Sequence, residues 1–522
     1  MAVRIQRAVR GFHGGLRLPG HKAAATETAI AELPVPKQLI IPLQQHVGNR
    51  PELCVRVGER VLKGQMIAKP DHEFSAAVHA SSSGIVRAIE PRPIPHPLGE
   101  DDTCVIIDTD GRDEGMPLAA SPNHELSPET LRQLVLDAGI VGLGGAAFPT
   151  ASKLDPPDEL PITTLIVNGA ECEPYISCDD MLMREQADQV IGGIEILLKT
   201  LGCEACLIGV EEDKPLAQQA LAEALEAHPV EGVRLFSLPH VYPIGGENQI
   251  IEVLTGKQVP SGALPWHLGV VCLNVGTVAA IYRAAVRGEP VISRVVTVTG
   301  QGVTRPANVR ARIGTPFADL VQFCGGYTDT AVRLIMGGAM MGFAVADDRV
   351  PVVKATNCVL VASREEAPAT EPALPCIRCG DCAAVCPARL LPQQLYADIR
   401  TQRWDAVEQD HVEDCIECGC CDVVCPSHIP LVDHFRQAKD TLHEQALERA
   451  QADLARQRYA AHTARLAARE QRELDALEAK TQALKQTKTS ALSSEAKKAA
   501  ILAAVERKRA KQNPTDRQEP DA

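Results

Sequence analysis

Two cysteine-rich runs near residue 400 determine the fold of their part of the chain: 376-CIRCGDCAAVCP-387 and 415-CIECGCCDVVCP-426. Each run reads C-x2-C-x2-C-x3-C-P, the spacing of bacterial ferredoxins that bind two [4Fe–4S] clusters. In that arrangement three cysteines of one run bind one cluster, and the fourth, before the proline, binds the other. Cluster one is therefore predicted on Cys376, Cys379, Cys382 and Cys425, and cluster two on Cys415, Cys418, Cys421 and Cys386. Cys420 falls outside the spacing and is predicted to be a bystander.

Zinc and disulfides are the alternative explanations of these cysteines. Structural zinc sites usually carry two CxxC pairs separated by a loop, which differs from either run. Disulfides need an oxidising compartment, and the first twenty residues contain no apolar core typical of a secretory signal. The pattern favours two iron–sulfur clusters.

Length and charge restrict the class of protein. With 522 residues the chain is expected to contain several domains, and its net charge of -14 argues against nucleic acid as a partner. The most apolar stretch, Leu268–Val286, is interrupted by Asn274, Tyr282 and Arg283, so no segment is expected to span a bilayer. A soluble protein, or one that partner subunits hold at a membrane, is expected.

The composition and residue pattern change several times along the sequence, which predicts a multidomain α/β plus β protein. Short β runs separated by Gly and Pro turns, with Val57–Gln65 followed by Ser83–Val86, resemble a biotinyl/lipoyl-type barrel, although no lysine occupies the carrier position near Phe74. Strands then alternate with helices, among them a helix at Ser127–Ala138 and a single long helix at Met181–Leu201. The predicted domains are an irregular N-terminal arm (1–32), the barrel (33–118), an α/β flavin/NADH domain (119–294), a β-grasp module (295–362), a two-cluster ferredoxin domain (366–432) and a charged helical tail (433–522) with a disordered end after Asn513.

A glycine-rich stretch is the candidate entry point for electrons. The run 142-GLGGAAFPTASK-153 would let backbone N–H groups approach a phosphate, and Lys153 would supply a positive charge. The stretch follows a predicted helix, whereas a dinucleotide fingerprint follows a strand. A purely structural turn is thus an equal alternative on this evidence alone.

Further motifs tie this stretch to a known family. Together with 168-NGAECEP-174, 242-YPIGGEN-248 and 274-NVGT-277, the region resembles the flavin-bearing, NADH-oxidising subunit of respiratory complex I. The order of barrel, flavin-type domain, β-grasp and paired cluster motifs, with 12-FHGG-15 near the start, resembles the RnfC (RsxC) family of the Rnf (Rsx) ion-translocating electron-transport complex over residues 10–435.

The resemblance implies specific cofactor contacts. Phe148 is implied to stack on NADH, with Glu171, Glu173 and Glu247 nearby. Leu143 stands where the complex I family usually has Arg, and Ala170 where it has Asp. FMN is implied to be bound by Gly142, Gly144, Gly145, Lys153, Asn168, Asn274 and Thr277.

The resemblance also implies a function: electrons would pass from NADH through FMN and the two clusters to other subunits of a membrane-bound, ion-translocating complex. The chain would lie peripherally on the cytoplasmic face of the bacterial inner membrane, and ferredoxin or a redox-sensing regulator would be involved indirectly. No acid–base residue is required, because the cofactors carry the chemistry. Two alternatives stay open: an iron–sulfur adaptor without an active nucleotide site, and an assembly scaffold that merely contains clusters.

Overall fold

A computed structural model describes residues 3–8, 10–71, 74–117, 126–157, 159–369 and 371–511, apart from the side chain of Leu492. The chain forms two compact units, Met1–Lys439 and Asp440–Ala522. The disordered end predicted after Asn513 and the predicted domain boundary at 118/119 lie outside the described residues.

The N-terminal arm is less irregular than predicted. Strand β1 (Gln6–Arg7) pairs in parallel with an edge strand of the α/β sheet. Strand β2 (Ala31–Glu32) pairs in parallel with the strand Ala307–Arg312, which belongs to a mixed sheet further along the chain. Two-residue strands have no periodicity that a sequence could reveal, so their pairing depends on the sheets they join.

Two small antiparallel sheets form the barrel. One has the strand order β3-β9-β8-β5 and the other β4-β6-β7. Leu39, Ile41, Val105 and Ile107 are buried in a common core. The run 53–57 has a composition that predicts a strand, but only its first residue lies in one. The strands are β3 (Gln38–Pro42), β4 (Glu52–Leu53), β5 (Arg60–Val61), β6 (Met66–Lys69), β7 (Val78–His79), β8 (Gly84–Pro93) and β9 (Asp101–Thr109).

A five-stranded parallel sheet flanked by helices follows. Its elements are α1 (Pro128–Asp137), α2 (Thr150–Lys153), β10 (Thr164–Gly169), α3 (Cys178–Glu185), α4 (Ala187–Leu201), β11 (Ala205–Glu211), α5 (Pro215–Ala227), β12 (Val233–Leu238), α6 (Glu247–Thr255), β13 (Val270–Asn274) and α7 (Val275–Arg287). The strand order is β1-β12-β11-β10-β13. The Ser127 hydroxyl caps α1, as its sequence predicted. The single helix predicted at 181–201 is wrong: Gln186, at φ -135°, separates α3 from α4.

Residues of β10 alternate between two cores, which gives this region three layers. Leu165 and Val167 pack in a core with residues of α4 and α7, whereas Ile166 packs on the opposite face with residues of α6. Since β11 lies on one side of β10 and β13 on the other, the chain changes direction between β10 and β13. In open parallel sheets, ligands bind at the carboxyl ends of strands at such a switch point.

A mixed sheet with the order β17-β16-β18-β14-β15-β2 comes next. Its central strands β14 and β18 are parallel, and β14 and β15 form an antiparallel hairpin. The elements are β14 (Ser293–Thr299), β15 (Ala307–Arg312), α8 (Phe317–Phe323), β16 (Ala331–Met336), β17 (Phe343–Val345) and β18 (Cys358–Ser363).

The two cysteine runs fold alike. Gly380 and Gly419 occupy equivalent positions and have φ of +90° and +78°, a conformation that favours glycine, directly before α9 and α12. Each run therefore ends in a short helix that starts at the same point of the motif. The helices are α9 (Asp381–Val385), α10 (Pro392–Arg400), α11 (Trp404–Gln409), α12 (Cys420–Val423) and α13 (Leu431–Lys511).

The second unit consists, as far as it is described, of the remainder of α13. From residue 446 to 511 every described side chain is exposed except that of Ala503, which is half-buried, and pairs such as Arg469–Glu473 (3.0 Å) join successive turns. Within the described residues, no helix combines the length and the apolar character that crossing a bilayer requires.

Candidate redox site

Two asparagines predicted to bind flavin meet at the switch point. Asn168 and Asn274 are register partners at the carboxyl ends of β10 and β13. The Asn274 side chain caps α7 by accepting the Gly276 N–H at 2.8 Å, and the Asn168 amide donates to the Gly245 carbonyl at 2.8 Å. Both side chains are thus fixed at the sheet edge where the fold places a ligand.

The glycine-rich loop lies over this edge. The buried Thr277 hydroxyl accepts the Leu143 N–H at 2.9 Å, and a Cβ on Gly144 would lie 3.3 Å from the Asn274 amide nitrogen. Within the described chain, the backbone N–H groups of Gly144, Gly145 and Ala146 have no protein acceptor. Successive backbone N–H groups without a partner can bind a phosphate, so the loop fits the phosphate end of FMN.

Lys153 and Phe148 line the same region. The Lys153 ammonium forms an ion pair with Glu247 at 2.5 Å and lies 5.9 Å from the centre of the Phe148 ring. The Phe148 ring meets Phe74 edge-on, with 5.3 Å between ring centres. Phe74 stands near the barrel position that carries the modified lysine in carrier domains, so the barrel contributes an aromatic side chain here that the sequence did not assign to the site.

The carboxylates of Glu171 and Glu173 both accept hydrogen bonds from backbone N–H groups. Glu171 accepts the N–H groups of Asp179 and Asp180 at the start of α3, and Glu173 accepts those of Met340 and Met341. Burial raises the pKa of Glu171 to about 7 and also raises the pKa of Glu173. These two carboxylates shape the loop after β10, while Glu247 is the acidic side chain that pairs with Lys153.

Leu143 and Ala170, the two residues that differ from the complex I pattern, are both buried. Leu143 is 6% exposed and packs in the α/β core, while its carbonyl accepts a hydrogen bond from the buried Arg294 at 3.0 Å. Ala170 is fully buried, and its N–H donates to the Asn168 side chain at 3.2 Å. Arg294, from β14, is a support of the loop that no local motif could have revealed.

A single cavity collects the cysteines predicted for cluster two. Cys386 from the first run and four cysteines of the second line it, closed by Val432 and Phe435 of α13. Burial raises the pKa of the Cys415 thiol to about 11 and also raises that of Cys386. A bound metal cluster would supply the positive charge that the thiolate forms need. The second-run cysteines are Cys415, Cys418, Cys421 and also Cys420, which the sequence predicts to be a bystander.

As the structure describes them, these thiols do not form the close group that a zinc site requires. Zn–S bonds of about 2.3 Å place the sulfurs of a zinc site roughly 3.8 Å apart. Among the described residues, three or more potential ligand atoms lie within 4.8 Å of one another at two places, Glu171/Cys178/Asp179 and Glu211/Asp213/His240, neither of which includes a motif cysteine. None of the eighteen cysteines is joined to another by a disulfide in the structure.

Two of the four cysteines predicted for cluster one lie at the surface, and the half-buried Cys425 does not. Cys376 and Cys379 are exposed and Cys382 is buried. The Leu374 N–H donates to the Ser427 carbonyl at 2.8 Å, and the Ser427 hydroxyl donates to the Pro375 carbonyl at 3.0 Å. These contacts bring the segment before Cys376 beside the segment that follows Cys425.

Tyr242 joins the two parts of the candidate site. Its side chain is 3% exposed, and its hydroxyl donates to the Cys418 carbonyl at 2.7 Å. Cys420 packs beside Tyr242 and Cys418 in the same apolar cluster, with the half-buried Cys172 from the loop after β10. The sequence placed Tyr242 in a flavin-type turn but gave no signal of its contact with the cysteine runs.

Family comparisons agree with this architecture. Residues 10–112 match the RnfC barrel sandwich hybrid domain, 135–283 the Nuo51 FMN-binding domain, 295–344 the SLBB domain and 372–429 the 4Fe-4S dicluster domain. These matches confirm the predicted barrel, the flavin-type domain and the cluster domain.

Relatives that align with most of this chain belong to the same family. The C subunit of the ion-translocating oxidoreductase complex of Pseudomonas aeruginosa is 47% identical over 466 residues, which cover 89% of this chain and 60% of that protein. The protein of the same name from Yersinia pseudotuberculosis is 45% identical over 92% of this chain and 69% of that protein. A solved NAD+-reducing [NiFe]-hydrogenase in the H2-reduced state resembles 60% of this chain and 62% of that one at 20% identity and a TM-score of 0.42, too weak a likeness to support an argument.

The fold and site therefore define a multidomain protein with a flavin-type domain and a two-cluster domain. The chain belongs to the RnfC family, the C subunits of ion-translocating oxidoreductase complexes, as its resemblance predicted. It spans about 60% of the length of the Pseudomonas relative.

Proposed function

We propose that this chain is the NADH-oxidising, electron-transferring subunit of an ion-translocating oxidoreductase complex. It would lie peripherally on the cytoplasmic face of the bacterial inner membrane and pass electrons to the other subunits, with ferredoxin or a redox-sensing regulator as an indirect partner. The observation that carries the proposal is the meeting of Asn168 and Asn274 at one switch point, beneath three loop N–H groups that have no acceptor among the described residues.

The chain's own residues would bind and orient the cofactors. FMN, when bound, accepts a hydride from NADH and releases single electrons. The N–H groups of Gly144 and Gly145 would bind the phosphate, with Gly142 allowing the close approach of the backbone. Thr277 would keep the loop ordered, and Asn168 and Asn274 would bind polar groups of the flavin.

The nucleotide would lie on the barrel side of the loop. Phe148 offers an aromatic surface whose edge meets Phe74, and the Lys153–Glu247 pair offers one group of each sign for ribose and phosphate. Glu171 and Glu173 would act by holding the loop after β10. This assignment keeps every predicted site residue and gives the two buried carboxylates a positioning role.

The eight motif cysteines would bind two [4Fe–4S] clusters with exchanged fourth ligands. The cavity that holds Cys386 together with the second run supports this assignment. Because Tyr242 lies between that cavity and the switch point, cluster two would receive electrons before cluster one. The exposure of Cys376 and Cys379 would then leave cluster one at the surface for an acceptor.

We further propose the predicted domain limits, with a β-grasp module at 295–362. Its hairpin β14–β15, the helix α8 and the return of β18 beside β14 support that interpretation.

NADH–ferricyanide activity of the anaerobically reconstituted chain tests the proposal. The expected result is one FMN per chain and NADH-dependent ferricyanide reduction that depends on added FMN. A chain that assembles both clusters but takes up no FMN and reduces no ferricyanide would contradict NADH oxidation and favour the iron–sulfur adaptor. The core position of the Leu143 side chain, away from the loop surface, is the observation that favours the adaptor.

A further inference from the structure

The segment Phe12–Leu18, here called the N-terminal clamp, contacts the end of the first cysteine run. The Gly15 N–H donates to the Val385 carbonyl at 2.9 Å, and His13 Nδ1 lies 3.0 Å from the carbonyl oxygen of Cys386. Gly14 has φ of +73°, and a Cβ there would lie 2.5 Å from the Val385 oxygen. Only glycine allows the clamp to approach the Cys386 backbone this closely.

The other side of the clamp is joined to Tyr242. Leu16 and Tyr242 exchange two backbone hydrogen bonds of 2.7 and 2.8 Å, and the Leu18 carbonyl lies 3.0 Å from His240 Nε2. A Cβ on Gly15 would lie 2.7 Å from the Tyr242 carbonyl oxygen, so this contact is also too close for a side chain. The clamp thus occupies the space between the turn that carries Tyr242 and the loop that carries Cys386.

These contacts converge on one predicted cluster. The clamp touches the backbone of Cys386, and Tyr242 donates to the carbonyl of Cys418. Both cysteines line the cavity predicted for cluster two. The same turn continues to Gly245, whose carbonyl accepts the Asn168 amide at the switch point.

We infer that the N-terminal clamp and Tyr242 are positioning elements that fix cluster two against the α/β domain and set its electronic environment. The clamp holds the fourth ligand, and Tyr242 directs a hydroxyl dipole at the loop of a second ligand. Hydrogen bonds around the ligands and solvent access both tune the reduction potential of a cluster. The inference rests on the cluster assignment of the proposed function, but it requires neither FMN nor NADH.

The test compares Gly14→Ala with Gly11→Ala, because Gly11 lies on the same arm with nothing within 4 Å of an added Cβ. Anaerobically reconstituted full-length protein would be reduced with dithionite and its EPR spectrum recorded. Gly14→Ala is expected to shift or abolish the signal of cluster two while the signal of cluster one stays unchanged. Gly11→Ala is expected to give the wild-type spectrum.

Tyr242→Phe provides a second, milder variant that keeps the ring and removes only the hydroxyl. Because the positive end of the hydroxyl dipole points toward the Cys418 loop, its loss should lower the potential of cluster two in an EPR-monitored redox titration and leave cluster one unchanged. Wild-type spectra for both Gly14→Ala and Tyr242→Phe, or equal changes in both clusters, would overturn the inference. A wild-type chain that binds no iron would instead contradict the proposed function.

Discussion

Thr277 provides the sharpest test of how the glycine-rich loop is held. Its side chain is fully buried, and its hydroxyl accepts the Leu143 N–H at 2.9 Å. The hydroxyl also donates to the Val141 carbonyl at 3.4 Å, a distance at which a hydrogen bond is weak. Thr277→Val keeps the shape but leaves the Leu143 N–H buried without a partner, at a cost of about 1–2 kcal/mol. If the FMN phosphate binds only the ordered loop, FMN binding to the variant must also restore the order that the loop has lost. The affinity for FMN should fall roughly tenfold, since 1.4 kcal/mol corresponds to a factor of ten.

Thr200→Val is the matched control. Thr200 is also buried, at 7% exposure, but its hydroxyl has no hydrogen-bond partner among the described residues. FMN affinity would be measured by quenching of flavin fluorescence, and loop opening by hydrogen exchange of the peptide spanning residues 139–150. Thr277→Val should speed exchange in this peptide, whereas Thr200→Val should match the wild type. Equal FMN affinity and equal exchange in the two variants would refute the reasoning.

Three further predictions concern the loop, the cluster ligands and a surface histidine. Gly144→Val places a branched side chain at the phosphate position and against an asparagine amide, so FMN should be lost while circular dichroism stays unchanged. Cys386→Ala should remove the EPR signal of cluster two and spare cluster one, and Cys420→Ser should spare both; loss of cluster one in Cys386→Ala would contradict the exchanged ligation. The pKa of His240 is raised, chiefly by its interaction with Glu211, so its stabilising effect is complete below about pH 6.5 and is lost as pH rises through the higher folded-state pKa. The melting temperature of the wild type should therefore fall relative to that of H240Q between about pH 6.5 and 8.5, and the same pH dependence in both proteins would exclude this histidine as a cause.

Structural features that depend on short stretches of sequence could be predicted. The spacing of the cysteines predicts which residues share a cluster, and the structure brings Cys386 together with four cysteines of the other run in one cavity. Asn168 and Asn274 each follow an apolar strand, and parallel strands bring their carboxyl ends to one edge, where the two residues are register partners. Such features depend on local periodicity and on general rules of parallel sheets.

Contacts between distant segments were not predictable from the sequence. The distances from Phe74 to Phe148 and from Tyr242 to Cys418 depend on how separate domains pack, and neither pair is marked by a local pattern. The break at Gln186 is similar, because its surroundings continue a helical pattern of apolar residues and the backbone leaves the helical region at that one residue. The two short strands of the arm likewise exist because sheet edges from other domains are available to them.

An NADH titration of the anaerobic, FMN-loaded chain, followed by EPR, tests the central claim most directly. The account predicts that substoichiometric NADH reduces the clusters through bound FMN, and that Gly144→Val, with both clusters present, gives no cluster signal with NADH but a full signal with dithionite. Cluster reduction by NADH in flavin-free Gly144→Val would contradict the account. So would a fully loaded wild-type chain whose clusters respond to dithionite and not to NADH.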